Sequence, residues 1–182
     1  MSVMKTIQQI IFFTNTQKIL AFLLEDPDKS YYDREVSRLT GVSQAGTNFA
    51  LRDLALSGLV VRKKEGRMYF YKILFNNVLI KYFKIVQNIA FLEPVINALR
   101  NHSLRIVLYG SAANGTNTLE SDIDLFILTR VKDEVQNIIF DYRKQKYIQS
   151  VVMVPNEYIK LKINNALFYN EIEQGIELWN EK

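Results

Sequence analysis

An α+β chain in two parts is predicted by three observations. Residues 15–75 carry helical hydrophobic spacing and end in a basic strand pair. Residues 76–101 form one long amphipathic pattern. Residues 104–154 read strand, loop, strand, helix, strand, with a helical tail behind them. The predicted domains are therefore 1–75, a linking helix over 76–101, and 102–182, the last built on a small mixed sheet.

The totals fit that reading. A length of 182 residues suits one ordinary domain or two small ones, and 48% hydrophobic with 23% charged residues is a globular composition. No apolar run reaches eighteen residues, so no membrane span is expected. The opening "MSVMKTIQQIIFFTNTQK" lacks a small-residue cleavage site and reads as mature protein. Zero Cys excludes disulfides, thiolate zinc sites and Cys nucleophiles, and the single His102 excludes a His-rich metal cage. A cytoplasmic location is expected. The net charge of +4 is unevenly spread. Residues 1–75 hold eleven Lys/Arg against seven Asp/Glu, whereas residues 76–182 hold twelve of each. A basic first part beside a neutral second part points to a polyanion partner for the first.

In that first part, Ile19, Phe22 and Leu23 fall at helical spacing before Pro27 stops the run. A short helix around Arg34–Leu39 follows, then a break at Gly41 and a second helix. Ser43 is its N-cap, Thr47, Leu51 and Leu54 its buried stripe, and Gly58 its C′ residue. "LVVRKKEGRMYFYKIL" then reads as two strands around a Lys-Glu-Gly turn. This order resembles the winged helix-turn-helix, on "REVSRLTGVSQAGTNFALRDLALSGLV" plus the hairpin. The resemblance implies double-stranded DNA as partner. Off the buried stripe the second helix shows Gln44, Asn48 and Arg52, side chains able to pair with adenine or guanine edges. Phe49 on the same side suits a thymine methyl. Arg62, Lys63, Lys64 and Arg67 on the hairpin suit phosphate or minor-groove contact, and Ser43 opens the reading helix. A helical dimerisation domain with a solvated charged face is the competing reading.

The linking pattern places Leu79, Tyr82, Phe83, Val86, Ile89 and Ala90 on one face, with Pro94 marking a bend or a new helix start. A core helix joining the domains and a homodimer interface both fit, the latter matching two-fold operators.

The second part holds "YGSAANGTNTLESDIDLFIL", Tyr109 to Leu128. It reads as strand Leu104–Tyr109, a Gly110-Ser111 turn opening a loop or helix, and strand Asp122–Thr129. Alternation puts Asp122 and Asp124 on one face. Two adjacent carboxylates repel, and a divalent cation removes that cost. Mg²⁺ takes one or two carboxylates and fills its remaining positions with water and phosphate oxygens. The Gly-Ser turn supplies N–H groups and a hydroxyl for a phosphate. The residues thus propose a Mg-nucleotide site. The pattern Gly110, Ser111, Gly115, Ser121, Asp122, Asp124 resembles the minimal nucleotidyltransferases of the DNA polymerase beta-like superfamily.

That resemblance implies transfer of a nucleoside monophosphate from a nucleoside triphosphate to a hydroxyl. It implies Asp122 and Asp124 as metal-holding catalytic residues, and Gly110, Ser111 and Ser121 at the nucleotide. It also implies a third carboxylate on the next strand, "KYIQSVVMVP", near Gln149 or Ser150, where this chain has none. Asp133, Glu134, Asp141 and Glu157 are the nearby acids. His102 reads as a helix-end residue, and the aromatics of the tail, Trp179 among them, as helix packing. Three readings follow: a DNA binder whose second domain senses a Mg-nucleotide, an active transferase docked through its first domain, and an interaction module with both sites silent.

Overall fold

The computed structural model describes residues 6–142 and 148–181. The chain divides into two compact units, Met1–Gln87 and Asn88–Lys182. The division falls within one helix, so each unit takes part of it.

Unit 1 opens with helices α1 (Ile7–Ile11) and α2 (Asn15–Glu25), each started by a capping box from Thr6 or Thr14. Strand β1 (Tyr31–Tyr32) leads into α3 (Asp33–Thr40), which ends on Gly41 in the left-handed conformation. Helix α4 (Gln44–Leu56) begins where Ser43 accepts a hydrogen bond from the Gly46 N–H, 3.2 Å away. Its stripe Thr47, Ala50, Leu51 and Leu54 is buried. It ends in a Schellman arrangement: Gly58 N–H donates to the Ala55 carbonyl and Leu59 N–H to the Leu54 carbonyl. Strands β2 (Val60–Glu65) and β3 (Met68–Ile73) form a hairpin, and β1 pairs with β3 to complete a three-stranded sheet in the order β1-β3-β2. The turn is Gly66-Arg67, one residue later than the Lys-Glu-Gly expected, because Glu65 pairs with Met68. The core gathers Ile19, Leu23, Val36, Leu51, Val60, Tyr71 and Ile73.

Helix α5 (Val78–Leu99) runs through Pro94, so of the bend or new helix start expected there the new start is not found. Its first half docks on unit 1. The buried Lys84 ammonium donates to the Leu24 carbonyl, and Gln87 donates to the Ala21 carbonyl at 2.9 Å. Both acceptors belong to the last turns of α2, and the Leu24 carbonyl is one of the last four, which have no helical partner of their own. The expected apolar face of α5 is split. Phe83 packs on the unit 1 core, Ile89 and Ala90 turn inward, and Leu79, Tyr82 and Val86 are exposed.

Unit 2 is built on a four-stranded mixed sheet in the order β6-β5-β4-β7, from β4 (Arg105–Tyr109), β5 (Ile123–Leu128), β6 (Ile148–Met153) and β7 (Ile176–Asn180). Strand β4 runs antiparallel to β5 and β7, while β5 and β6 are parallel. The expected strand starts Leu104 and Asp122 each move in by one residue. Lys146 and Tyr147, where the third strand was expected to begin, lie outside the described residues. Alternation gives the sheet two apolar faces. Ile106, Leu108, Ile123, Leu125 and Ile127 meet Leu92, Val95 and Leu99 of α5 and Val135 and Ile139 of α7 (Lys132–Tyr142). Val107, Tyr109 and Phe126 meet Leu161 of α8 (Pro155–Asn164) and Phe168 and Ile172 of α9 (Ala166–Glu173).

The tail departs from its helical expectation. Ile176 and Trp179 are three apart, as on a helix, yet they lie in β7 beside β4. Gly175 permits the change: a Cβ there would stand 2.5 Å from Val107 Cγ1 and 2.6 Å from the Leu108 carbonyl oxygen. Only a glycine lets the chain leave α9 so close to the sheet. Arg105 then ties the layer together, donating to Glu173 at 2.5 Å and to Glu177 at 2.9 Å.

Candidate functional site

In unit 1, every sequence-predicted nucleic-acid contact is solvent-facing. Ser43, Gln44, Asn48, Phe49 and Arg52 are exposed on α4, and Phe49 retains 67% of its surface. Gln44 donates to Asn48 at 3.3 Å, so the two amides share one row of the helix. On the hairpin, the Arg62 guanidinium lies 3.6 Å over the Tyr69 ring, a stacking geometry that holds its plane fixed. Lys63 is engaged by Glu65 at 2.9 Å, which raises its pKa. Lys64 and Arg67 have no ion-pair partner among the described residues, so the hairpin cations are not equivalent. A cavity of about 820 Å³ in this unit, lined by Phe12, Phe22 and Leu39 among others, takes in none of these residues.

In unit 2, strand β4 ends at Tyr109 and the short helix α6 (Gly110–Ala113) follows at once. Gly110 turns the corner with φ +68°. A Cβ on it would lie 2.4 Å from Asp124 Oδ2, so the Asp124 carboxylate packs directly against the glycine backbone. Register explains the proximity. Tyr109 pairs with Asp124 across β4–β5, and Asp124 pairs with Gln149 across β5–β6. Paired residues share a sheet face, so Tyr109, Asp124 and Gln149 all lie on the face covered by α8 and α9. Asp122 stands two residues earlier, just before β5.

Both aspartates are half-buried, and neither makes a hydrogen bond or an ion pair among the described residues. Burial raises the Asp124 pKa, and the charges of Asp122 and Glu171 raise it further. Burial, then Asp124 and Glu171, push the Tyr109 phenol up to about 12. Among the described residues the turn is thus electrically under-compensated: negative charge is held where water is partly excluded, with no cation paired to it. No group of three or more His, Asp or Glu among the described residues is close enough together to hold a metal ion. A pair of carboxylates suits Mg²⁺, which keeps waters and takes phosphate oxygens for its other positions.

The loop between the Gly-Ser turn and the aspartates is fixed from below. Asn88 of α5 donates to the Ala112 carbonyl at 2.9 Å and to Asn117 Oδ1 at 2.8 Å, and Asn117 donates back to Asn88 at 3.3 Å. Both amides are buried. The Ser121 hydroxyl accepts from the Thr118 N–H at 2.9 Å and closes the turn before Asp122. The Ser111 hydroxyl has no partner among the described residues and is partly exposed.

A family model described as "Nucleotidyltransferase domain" matches residues 92–175. The matched span starts in α5 and takes in α6, β5, the aspartates, β6 and α9. The second unit carries a nucleotidyltransferase-like domain. No curated protein matches the chain. A solved structure of TrmBL2, described as an archaeal chromatin protein with a novel mode of DNA binding, aligns over 85% of this chain and 70% of its own. The identity is 11% and the TM-score 0.32, a likeness too weak to carry an argument.

Within the nucleotidyltransferase-like domain, the register sets Gln149 beside Asp124 and Ser150 beside Leu125. A neutral amide does not take a proton at neutral pH. The nearby acids considered from sequence are placed as follows. Glu157 is held by Lys132 at 3.0 Å and by the Val154 N–H, which lowers its pKa. Glu134 pairs with His102 at 3.0 Å, at the end of the 3₁₀ turn Arg100–His102. Asp133 and Asp141 are carried on α7. The carboxylate whose charge reaches Asp124 from another element is Glu171 of α9. Sequence spacing gave no sign of it, since α9 meets the sheet only through the fold of the tail.

Proposed function

We propose that this chain is a DNA-binding regulator whose nucleotidyltransferase-like unit binds a nucleoside triphosphate together with Mg²⁺. The observation that carries the nucleotide part is the pair Asp122 and Asp124, half-buried and without a hydrogen-bond or ion-pair partner among the described residues, with Asp124 held against Gly110 at the Gly-Ser turn. The bound ion would neutralise the pair and bridge it to the phosphates. Gly110 and Ser111 would face the phosphates with backbone N–H groups and a hydroxyl that has no partner among the described residues. Ser121 would hold the loop in shape rather than touch the nucleotide, because its hydroxyl already closes the Thr118 turn.

Calorimetric titration with ATP and with GTP, with and without Mg²⁺, tests this. Metal-dependent binding by the wild type, lost in the Asp122→Asn, Asp124→Asn double variant, is the expected result. No binding by the wild type would refute the nucleotide reading. An active transferase is the second reading, favoured by the family match across the aspartates. Pyrophosphate release from the bound triphosphate, lost in Asp122→Asn, would establish it in the same preparation.

The DNA part is read from unit 1. Its two helices, Gly break and basic hairpin follow the winged helix-turn-helix order, with the Gln44, Asn48, Arg52 row and the stacked Arg62 facing solvent. The reading helix would enter the major groove and the hairpin would meet phosphates. On a duplex selected from a random pool, Arg52→Ala is expected to weaken binding by about 1–3 kcal/mol and relax one base position. Lys64→Ala is expected to weaken all sequences alike and reduce the salt slope by about 1. Binding indifferent to salt and to both changes would exclude this face. A homodimer through the exposed Leu79, Tyr82 and Val86 of α5 would give two such readers.

A further inference from the structure

The segment between the Gly-Ser turn and the aspartates has no helix or strand from Asn114 to Asp122, and most of what holds it is local. Asn114 N–H donates to the Gly110 carbonyl at 3.2 Å, Thr116 N–H to the Ser111 carbonyl at 3.0 Å, and Ser121 N–H to the Thr118 carbonyl at 3.3 Å. Such bonds shape turns without fixing where the turns stand on the protein. Among the described residues, the hydrogen bonds that tie this segment to a distant part of the chain all involve one side chain, Asn88 of α5.

Asn88 is fully spent on that tie. Its amide donates one hydrogen to the Ala112 carbonyl at 2.9 Å and the other to Asn117 Oδ1 at 2.8 Å, and its Oδ1 accepts from Asn117 at 3.3 Å. The Ala112 carbonyl can only accept, so it decides which end of the amide faces it. The two grips bracket the segment. Ala112 follows Ser111, and Asn117 precedes the Thr118–Ser121 turn that leads into Asp122. One amide therefore sets the span between the Ser111 hydroxyl and the aspartates.

Both asparagines are buried. A satisfied amide pair adds little net stability over apolar groups of the same shape, whereas its directional bonds hold a single geometry. The pair suits placing the segment better than stabilising the fold. Asn88 also precedes residues 92–175, the span of the family match, so the matched pattern does not include it.

We propose that Asn88 is a positioning residue for the nucleotide. By holding Ala112 and Asn117 it sets the Ser111 hydroxyl and Asp122 at the separation that a metal-bound triphosphate bridges. It touches neither the ion nor the nucleotide. The inference rests on the Mg-nucleotide reading of Asp122 and Asp124.

The test is calorimetric titration of the full chain with ATP and with GTP in the presence of Mg²⁺, each variant paired with a melting curve. Asn88→Ala cuts both grips and is expected to weaken metal-dependent binding about tenfold, the scale set by groups that orient a metal site from behind. Asn97→Ala, on the exposed face of the same helix, is expected to leave it unchanged. The Asn88→Leu, Asn117→Leu double variant replaces the amide pair by apolar groups of similar size. It is expected to melt above Asn88→Ala and still to bind as weakly. Magnetic resonance spectra of the wild type supply a readout that needs no variant. Mg²⁺ and nucleotide should shift the side-chain amide signals of Asn88 and Asn117 and leave that of Asn97 in place. If wild type binds and Asn88→Ala binds equally well, this inference falls and the nucleotide reading stands. If the double variant regains affinity along with stability, Asn88 serves only the fold and the inference falls again. Asn88 and Asn117 signals that ignore a bound nucleotide would overturn it as well. If wild type binds neither nucleotide, the Mg-nucleotide reading falls and this inference falls with it.

Discussion

Gly110→Ala is expected to abolish metal-dependent nucleotide binding while leaving the protein folded. Two effects combine. The residue sits at φ +68°, where an L side chain costs about 1–2 kcal/mol. The added Cβ also meets Asp124 Oδ2 at 2.4 Å, with Cγ at 3.3 Å and Cβ at 3.5 Å. The obstructing atom is the tip of a side chain, so the carboxylate swings away and the strands stay paired. Stability then drops by about the backbone cost, roughly 1–2 kcal/mol, and the site loses the geometry of one of its two acids. Calorimetry with Mg²⁺ and ATP beside a denaturant titration separates the two quantities. Binding retained at wild-type affinity would mean that the position of Asp124 is not what holds the ion.

Gly175 marks the contrast. A Cβ there strikes the Leu108 carbonyl oxygen at 2.6 Å and Val107 Cγ1 at 2.5 Å. Backbone of a central strand cannot rotate out of the way, so the same substitution there acts on the sheet itself. Two glycines, each beside a strand, therefore serve different ends. One makes room for a functional carboxylate, and the other lets the chain return as a fourth strand.

The parts of the fold legible in the sequence are those written locally. Ser43 as a cap, the Thr47, Leu51 and Leu54 stripe and the Gly58 terminus each depend on residues within one or two helical turns, and each is found as expected. The same holds for the Gly-Ser turn and the alternation of β5. What was not legible depends on distant partners. Ile176 and Trp179 satisfy a helical period, and only their pairing with β4 makes them a strand. Tyr31 and Tyr32 become a strand only because β3 lies beside them. The Asn88–Asn117 amide pair joins residues 29 apart, and no spacing rule marks two asparagines as partners. Pro94 marks a bend or a new helix start in the sequence, and no new helix starts there. At the site, Asp122, Asp124 and Gln149 followed from pattern and register, whereas the influence of the Glu171 charge on Asp124 comes only through the tertiary placement of α9.

Asp124→Asn and Glu173→Gln are expected to change stability in opposite directions, both in the nucleotide-free protein. Burial and the charges of Asp122 and Glu171 raise the pKa of Asp124 in the fold. The folded state therefore binds that proton more tightly than the unfolded chain. The ionised group disfavours folding above its folded pKa, and the handicap fades as pH falls to the ordinary carboxylate value of about 3.9. Hydrogen bonding to Tyr158 and Arg105 lowers the pKa of Glu173, so the sign reverses. Its contribution is present above the ordinary carboxylate range and is lost as pH falls through the lowered folded pKa. Melting curves at pH 7 should show Asp124→Asn above wild type and Glu173→Gln below it. Both gaps should close in acid, that of Asp124→Asn first, because its pKa is the higher. Saturating Mg²⁺ and nucleotide should invert the first comparison, since wild type gains the binding energy and the variant does not. A variant that melts below wild type at pH 7 without ligand would show that Asp124 is compensated by the protein itself, and the case for a missing cation would lose its electrostatic ground.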